Sequence, residues 1–212
     1  MNNLYLIIGP SGSGKTRLAD GLSRKCGMKS VESYTTRSPR YPGEPGHIFV
    51  SDDEFDKLGE LCAYTEYNGH RYGVTKDILD ESDVYVIDPD GAIYLADHYS
   101  GKPLRYIWLS TSPGICFKRM LLRGDSEEKA NERIKNDESR FCMSKLADVR
   151  TKMTGVSIVT DKYAPAQVLS IVRKKISDFE CLTGLDYFER SCSLESLWKL
   201  TAYPETRMVR LG

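Results

Sequence analysis

The chain has 212 residues, enough to bury a core as one domain carrying inserted lobes, without disulfide or metal staples. Thirty basic and thirty acidic residues cancel, which excludes a global field drawing the protein to nucleic acid or a membrane; phosphate binding must come from local clusters. Scattered Cys26, Cys62, Cys116, Cys142, Cys181 and Cys192 predict free thiols in a reducing, cytoplasmic setting, and the short apolar start predicts neither signal peptide nor membrane span.

In chain order, Leu4-Tyr5-Leu6-Ile7-Ile8 predicts a buried strand. It runs directly into Gly9-Pro10-Ser11-Gly12-Ser13-Gly14-Lys15-Thr16, which fits the phosphate-loop pattern G-x-x-x-x-G-K-[ST] in its strand-loop-helix context. Its glycines let successive amides turn toward a polyphosphate, Lys15 adds a point charge, and Thr16 offers a hydroxyl to Mg²⁺ where a helix begins. A glycine-rich turn without ligand is the competing reading. The helix is expected from Lys15 to about Cys26, with Leu18 and Leu22 buried and Gly27 as its stop.

From Thr35 to Asp80 the texture changes to turns and short strands, predicting a small inserted lobe. It contains a turn-dense bend at Arg40 to Gly46, a strand at Ile48-Phe49-Val50, a capping box at Ser51 to Glu54 and a strand from Leu61 to Tyr67. Beyond it, Val84 to Ile87, Arg105 to Leu109 and Val156 to Val159 read as strands alternating with helical stretches, which predicts an α/β fold with a parallel sheet. Thr111-Ser112-Pro113 opens a helix to about Leu122, a single charged helix is expected from about Ser126 to Val149, and Gln167 to Phe179 has the spacing of a helix packed on the sheet. The segment after Gly184 carries no readable motif.

Ser33-Tyr34-Thr35-Thr36-Arg37-Ser38-Pro39-Arg40, followed by Pro42-Gly43-Glu44, sets two arginines three residues apart in a chain that Pro39 holds extended. The planar fork of arginine suits a phosphate. Taken with the phosphate loop, Phe49-Val50-Ser51, Gly69 to Tyr72-Gly73, Asp88 to Gly91, and Arg119-x-x-x-Arg123-Gly124 with Arg133, the pattern resembles the guanylate kinase family, collinearly from about residue 4 to 180. The resemblance implies a P-loop three-layer fold. Its core would be residues 1–34 and 82–184, its monophosphate-binding lobe 35–81 and its helical lid about 119–140, with 185–212 as an extension of unassigned role. It implies a phosphotransferase moving the γ-phosphate of ATP, with Mg²⁺, onto a nucleoside or deoxynucleoside monophosphate, GMP or dGMP first. Ser33, Arg37, Arg40 and Tyr72 would hold the acceptor phosphate, Lys15 and Thr16 the donor phosphates and Mg²⁺, and Arg119, Arg123 and Arg133 would be the lid charges. Partners would be small-molecule nucleotides, with no nucleic acid and no membrane.

The chain departs from that pattern at the base pocket. Ala63 and Val74 stand where the family has a Glu and a Ser or Thr on the guanine ring, and strand alternation turns Glu66, the nearest carboxylate, to the opposite face. His47 replaces a phosphate-contacting Tyr, Asp88 remains of two alternate acids with Val86 in the other place and would act near Mg²⁺, its water shell or the acceptor base, and Thr160 stands where an Asn touches the donor adenine. Acceptor use is therefore expected to be broader or shifted. Two further functions remain open: a non-catalytic guanylate kinase-like module holding a phosphopeptide or protein partner on the Arg37 and Arg40 lobe, and a P-loop kinase acting on another small phosphorylated metabolite.

Overall fold

The computed structural model describes residues 1–39, 41–67 and 69–181. Arg40, Asn68 and residues 182–212, including the expected extension, lie outside the described residues.

The elements follow the order β1 (Leu4–Ile8), α1 (Lys15–Cys26), β2 (Ser33–Thr35), β3 (His47–Phe49), α2 (Asp52–Phe55), β4 (Leu61–Tyr67), β5 (His70–Thr75), α3 (Lys76–Glu81), β6 (Val84–Val86), α4 (Pro89–His98), β7 (Leu104–Ser110), α5 (Pro113–Leu122), α6 (Glu127–Arg140), α7 (Met143–Lys152), β8 (Thr154–Val159) and α8 (Pro165–Cys181). The expected α/β class holds. A parallel sheet in the order β6-β1-β7-β8 forms the centre, and a second sheet in the order β3-β2-β5-β4 forms the region read as a lobe.

β1 is apolar at every position because helices cover both faces of the sheet. Leu4, Leu6 and Ile8 pack with Ala92 and Leu95 of α4 and Leu146 and Val149 of α7. Tyr5 and Ile7 point the other way, onto Leu18 and Leu22 of α1 and Val172 and Ile176 of α8. Each such side chain taken from water stabilises the fold by about 1.5–3 kcal/mol. The second sheet joins the same core where Cys62, Ala63 and Val74 pack with Ala92 and Leu95. β6 and β7 flank β1 on opposite sides. The chain therefore reverses direction across the sheet beside the carboxyl end of β1, the position where open α/β sheets bind ligands.

The single helix expected from Ser126 to Val149 is two. Phe141 caps α6, and Cys142 is extended before α7 begins. The cause is packing: the Phe141 ring turns into the core, edge-on to Trp108 with centroids 6.0 Å apart. α6 in turn closes a small satellite core in which Ala130 and Ile134 meet Cys116 and Met120 of α5.

Gly155 shows how tightly the sheet is built. It lies opposite Tyr106 in the β7–β8 register, and a Cβ there would overlap the Tyr106 carbonyl oxygen and ring. Gly155→Ala is expected to destabilise the protein by about 1–3 kcal/mol, read as a lower urea midpoint at unchanged m.

Candidate functional site

The loop after β1 has the backbone a phosphate site needs. Gly12 (φ 78°) and Gly14 (φ 102°) are left-handed, and at Gly12 a Cβ would also press within 2.6 Å of the Cys116 carbonyl oxygen. Gly14 is the N-cap of α1, so the helix begins with its free N–H groups at the loop. No side chain caps that end.

Lys15 reaches back over the loop, its Nζ donating to the carbonyl oxygens of Gly9 at 2.5 Å and Pro10 at 3.0 Å, with the Phe141 ring centroid 5.7 Å away. Burial pushes its ammonium down to about 8; the Asp137 and Asp88 carboxylates oppose this, and Arg123 adds to it. Ser13 Oγ is buried with no hydrogen-bond partner among the described residues, and Thr16 is exposed at the helix start. Asp88 is the N-cap of α4, accepting from the Gly91 N–H at 2.8 Å.

The three arginines taken for lid charges take up different positions. Arg119 lies against the loop, donating to the carbonyls of Ser13 at 3.2 Å and Gly12 at 3.4 Å and reaching the Thr160 Oγ and carbonyl, both at 3.4 Å. Thr160 in turn shares a hydrogen bond of 2.7 Å with Thr111. Arg123 is paired with Asp125 at 2.5 Å. That pairing holds the Asp125 carboxyl below its ordinary range, with the Arg133 charge contributing.

The second set gathers on the second sheet. β2 and β3 run parallel with Ser33 opposite His47, and Ser33 Oγ and His47 Nδ1 share a hydrogen bond of 2.8 Å. The His47 ring stands edge-on to Tyr72, 5.7 Å between centroids. Arg37 is gripped bidentately by Glu44 at 2.9 and 3.2 Å, donates to the Ser38 carbonyl at 2.8 Å and sits 5.4 Å over the Phe49 ring. Its Nε is buried without a partner among the described residues. Arg40, expected beside it, lies outside the described residues.

Ala63 and Val74 face each other across β4 and β5 and are 2% and 0% exposed, so the pair itself presents no polar side-chain atom; Thr65 and Tyr72 are the next pair on that face. The register is regular from Ala63 to Tyr67. Glu66 accordingly lies on the other face, where it accepts from the Tyr64 hydroxyl at 2.5 Å. The alternation expected from sequence holds there.

Three residues at these sites carried no role in the sequence reading. Glu44 orders Arg37, Phe141 closes over Lys15, and Asp137 accepts from the Ser11 amide. An isolated aromatic in a charged run was a signal for Phe141; Asp137, one acid among several on a charged helix, carried none.

Among the described residues no helix is long and apolar enough to cross a membrane, and no group of three or more His, Cys, Asp or Glu could hold a metal ion. No protein-family model matches the chain. It is 32% identical over 159 residues to a guanylate kinase of Polaromonas sp., covering 69% of this chain and 77% of that one. It is 35% identical over 149 residues to a guanylate kinase of Haemophilus influenzae, covering 62% and 71%, and 33% identical over 148 residues to one of Helicobacter pylori, covering 63% and 71%. The crystal structure of guanylate kinase from Anaplasma phagocytophilum superposes with a TM-score of 0.52 at 17% identity, covering 89% of this chain and 94% of that one, and so shares the fold. With the phosphate loop, the two sheets and these relatives in agreement, the chain belongs to the guanylate kinase family.

Proposed function

We propose that this chain transfers the γ-phosphate of ATP to a nucleoside or deoxynucleoside monophosphate. As a guanylate kinase family member it is a phosphotransferase, an ATP-dependent nucleoside monophosphate kinase. The observation that carries the reading is the complete phosphate loop with Lys15 desolvated inside it, which a purely binding module would not need. The loop amides and Lys15 hold the donor phosphates. Ser33, Arg37, His47 and Tyr72, with Arg40, hold the acceptor phosphate. Phosphoryl transfer asks little covalent chemistry of the protein, which acts by placing the two phosphates in line and neutralising charge on the moving group. Arg119 stiffens the loop, while Arg123 and Arg133 supply charge from the proposed lid at about 119–140, which closes over the core and the lobe at 35–81.

Mg²⁺ fits this donor set. It is ordinarily held by one or two protein oxygens, waters and the substrate phosphates rather than by a protein cage. The exposed Thr16 hydroxyl and the Asp88 carboxylate just after β6 are the oxygens that would hold it, and it would supply positive charge to offset that of the donor phosphates. GMP and dGMP are the first acceptors to try. The apolar Ala63–Val74 pair favours a pocket of weak base discrimination, because only sites that hydrogen-bond their substrate reject analogues by about 10⁴ to 10⁵.

A coupled ADP-release assay across the common ribo- and deoxyribonucleoside monophosphates tests the reading. Turnover is expected with at least one acceptor, and with kcat/KM differing less than about a hundredfold between the best base and the next. Absence of turnover above background with every acceptor would overturn it. A single acceptor preferred by 10⁴ would overturn the relaxed pocket.

A further inference from the structure

Asp137 stands on α6, 126 residues from the phosphate loop in sequence, yet its Oδ2 accepts a 2.6 Å hydrogen bond from the Ser11 backbone N–H. The loop amides are built to receive an oxyanion, and a carboxylate oxygen at that distance is a charge-assisted ligand of the same kind. The same carboxylate acts electrostatically on Lys15, favouring its charged form. Lys15, for its part, is turned onto the Gly9 and Pro10 carbonyls. A donor phosphate entering the loop needs the amide that Asp137 occupies, and two anions cannot share it without repulsion.

We propose that Asp137 is an internal competitor for the donor phosphate: it fills the loop while no nucleotide is bound and latches α6 to it until a polyphosphate displaces it. Arg133, one turn earlier on α6, shares the Asp137 side of the helix. Displacement therefore removes a carboxylate from the loop while the Arg133 guanidinium stays on the same side of α6. Donor affinity is reduced by the fraction of molecules in which the latch is shut, and the lid helix responds to the donor before any acceptor arrives. The inference rests on the loop being the donor site.

Equilibrium binding of ATP and of inorganic tripolyphosphate to the full chain tests it in the wild type, Asp137→Ala and Asp137→Asn. Both probes are expected to bind Asp137→Ala roughly tenfold more tightly, the loss of one charge-assisted hydrogen bond from the competing state. Asp137→Asn, which keeps the shape and an acceptor oxygen but not the charge, is expected to fall between. The Ser11 amide resonance is a second reading that does not depend on affinity: it should move upfield in apo Asp137→Ala and, in the wild type, shift when tripolyphosphate is added. Unchanged or weaker binding of both probes in Asp137→Asn, or a Ser11 amide indifferent to the substitutions, overturns the latch. Failure of both probes to bind any variant removes the donor site and the latch together. Tighter probe binding in the variants of a protein that phosphorylates no nucleoside monophosphate leaves the latch standing and removes only the kinase reading.

Discussion

Lys15→Ala is expected to lower kcat by about 10²- to 10³-fold, the effect of deleting one preorganised charge donor from a transition state, with the acceptor KM nearly unchanged. The Lys15 ammonium lies within the loop, held by two carbonyl oxygens at 2.5 and 3.0 Å, so little reorganisation is needed for it to meet a phosphate there. The desolvation that makes it effective also lowers its pKa to about 8, which gives the prediction a pH arm. A bound phosphate raises the pKa of the ammonium it touches, so donor binding is linked to keeping the proton on. Affinity is then fully present below pH 8 and lost as pH rises above it, and the donor KM of the wild type should climb toward tenfold per pH unit. Lys15→Arg stays charged throughout, and its donor KM should be flat over the same range. Steady-state kinetics from pH 6.5 to 9.5 check both arms. Wild-type turnover in Lys15→Ala, or parallel KM profiles for the wild type and Lys15→Arg, would take Lys15 out of the donor site.

What could be read from the sequence depended on whether the cause of a feature was local. β1 was legible because a strand buried on both faces must be apolar throughout, and the loop after it because Gly12 and Gly14 adopt backbone angles that other residues avoid. The α1 boundaries and the Ser51 capping box were legible for the same reason, since a cap is a contact within one turn. The break between α6 and α7 was hidden. Charge periodicity runs straight through it, and the decisive event is Phe141 meeting Trp108 on another element. Arg37 could be picked out by type and spacing, but its clamp could not: Glu44 sits beyond a bend whose geometry no periodicity reports. Asp137 is the extreme case. Its partner is a backbone amide in a distant segment, so nothing in its neighbourhood distinguishes it from the other acids of a charged helix. Phosphate-binding parts are thus written in the chain where the backbone itself binds, and disappear from it where a side chain must be positioned by another.

Arg37→Ala is expected to raise the acceptor KM by about 10²-fold while changing kcat less, and separately to lower stability by about 1.5–3 kcal/mol, since it removes the charge-assisted hydrogen bonds that Glu44 accepts from the guanidinium. The two effects have different causes. Arg37 and Glu44 side chains are 13% and 6% exposed, so the pair belongs to the interior of the second sheet's loops, and its loss is structural whether or not a ligand binds there. Catalytic relevance rests instead on the donors that remain. A guanidinium carries five N–H bonds; Glu44 and the Ser38 carbonyl engage its two terminal nitrogens, while the buried Nε meets no partner among the described residues. An orphaned buried donor is expensive unless something fills it, and a phosphate oxygen is the group this fork accepts best. Glu44→Gln separates the causes, because it keeps Arg37 and a neutral acceptor while removing the ionic clamp. Its acceptor KM should rise by less than about tenfold, with a drop in the urea midpoint comparable to that of Arg37→Ala. Were Glu44→Gln and Arg37→Ala to raise the acceptor KM equally, the loss would be one of lobe integrity, and Arg37 would have no direct claim on the phosphate. An acceptor KM in Arg37→Ala equal to that of the wild type would move the acceptor site off this sheet altogether.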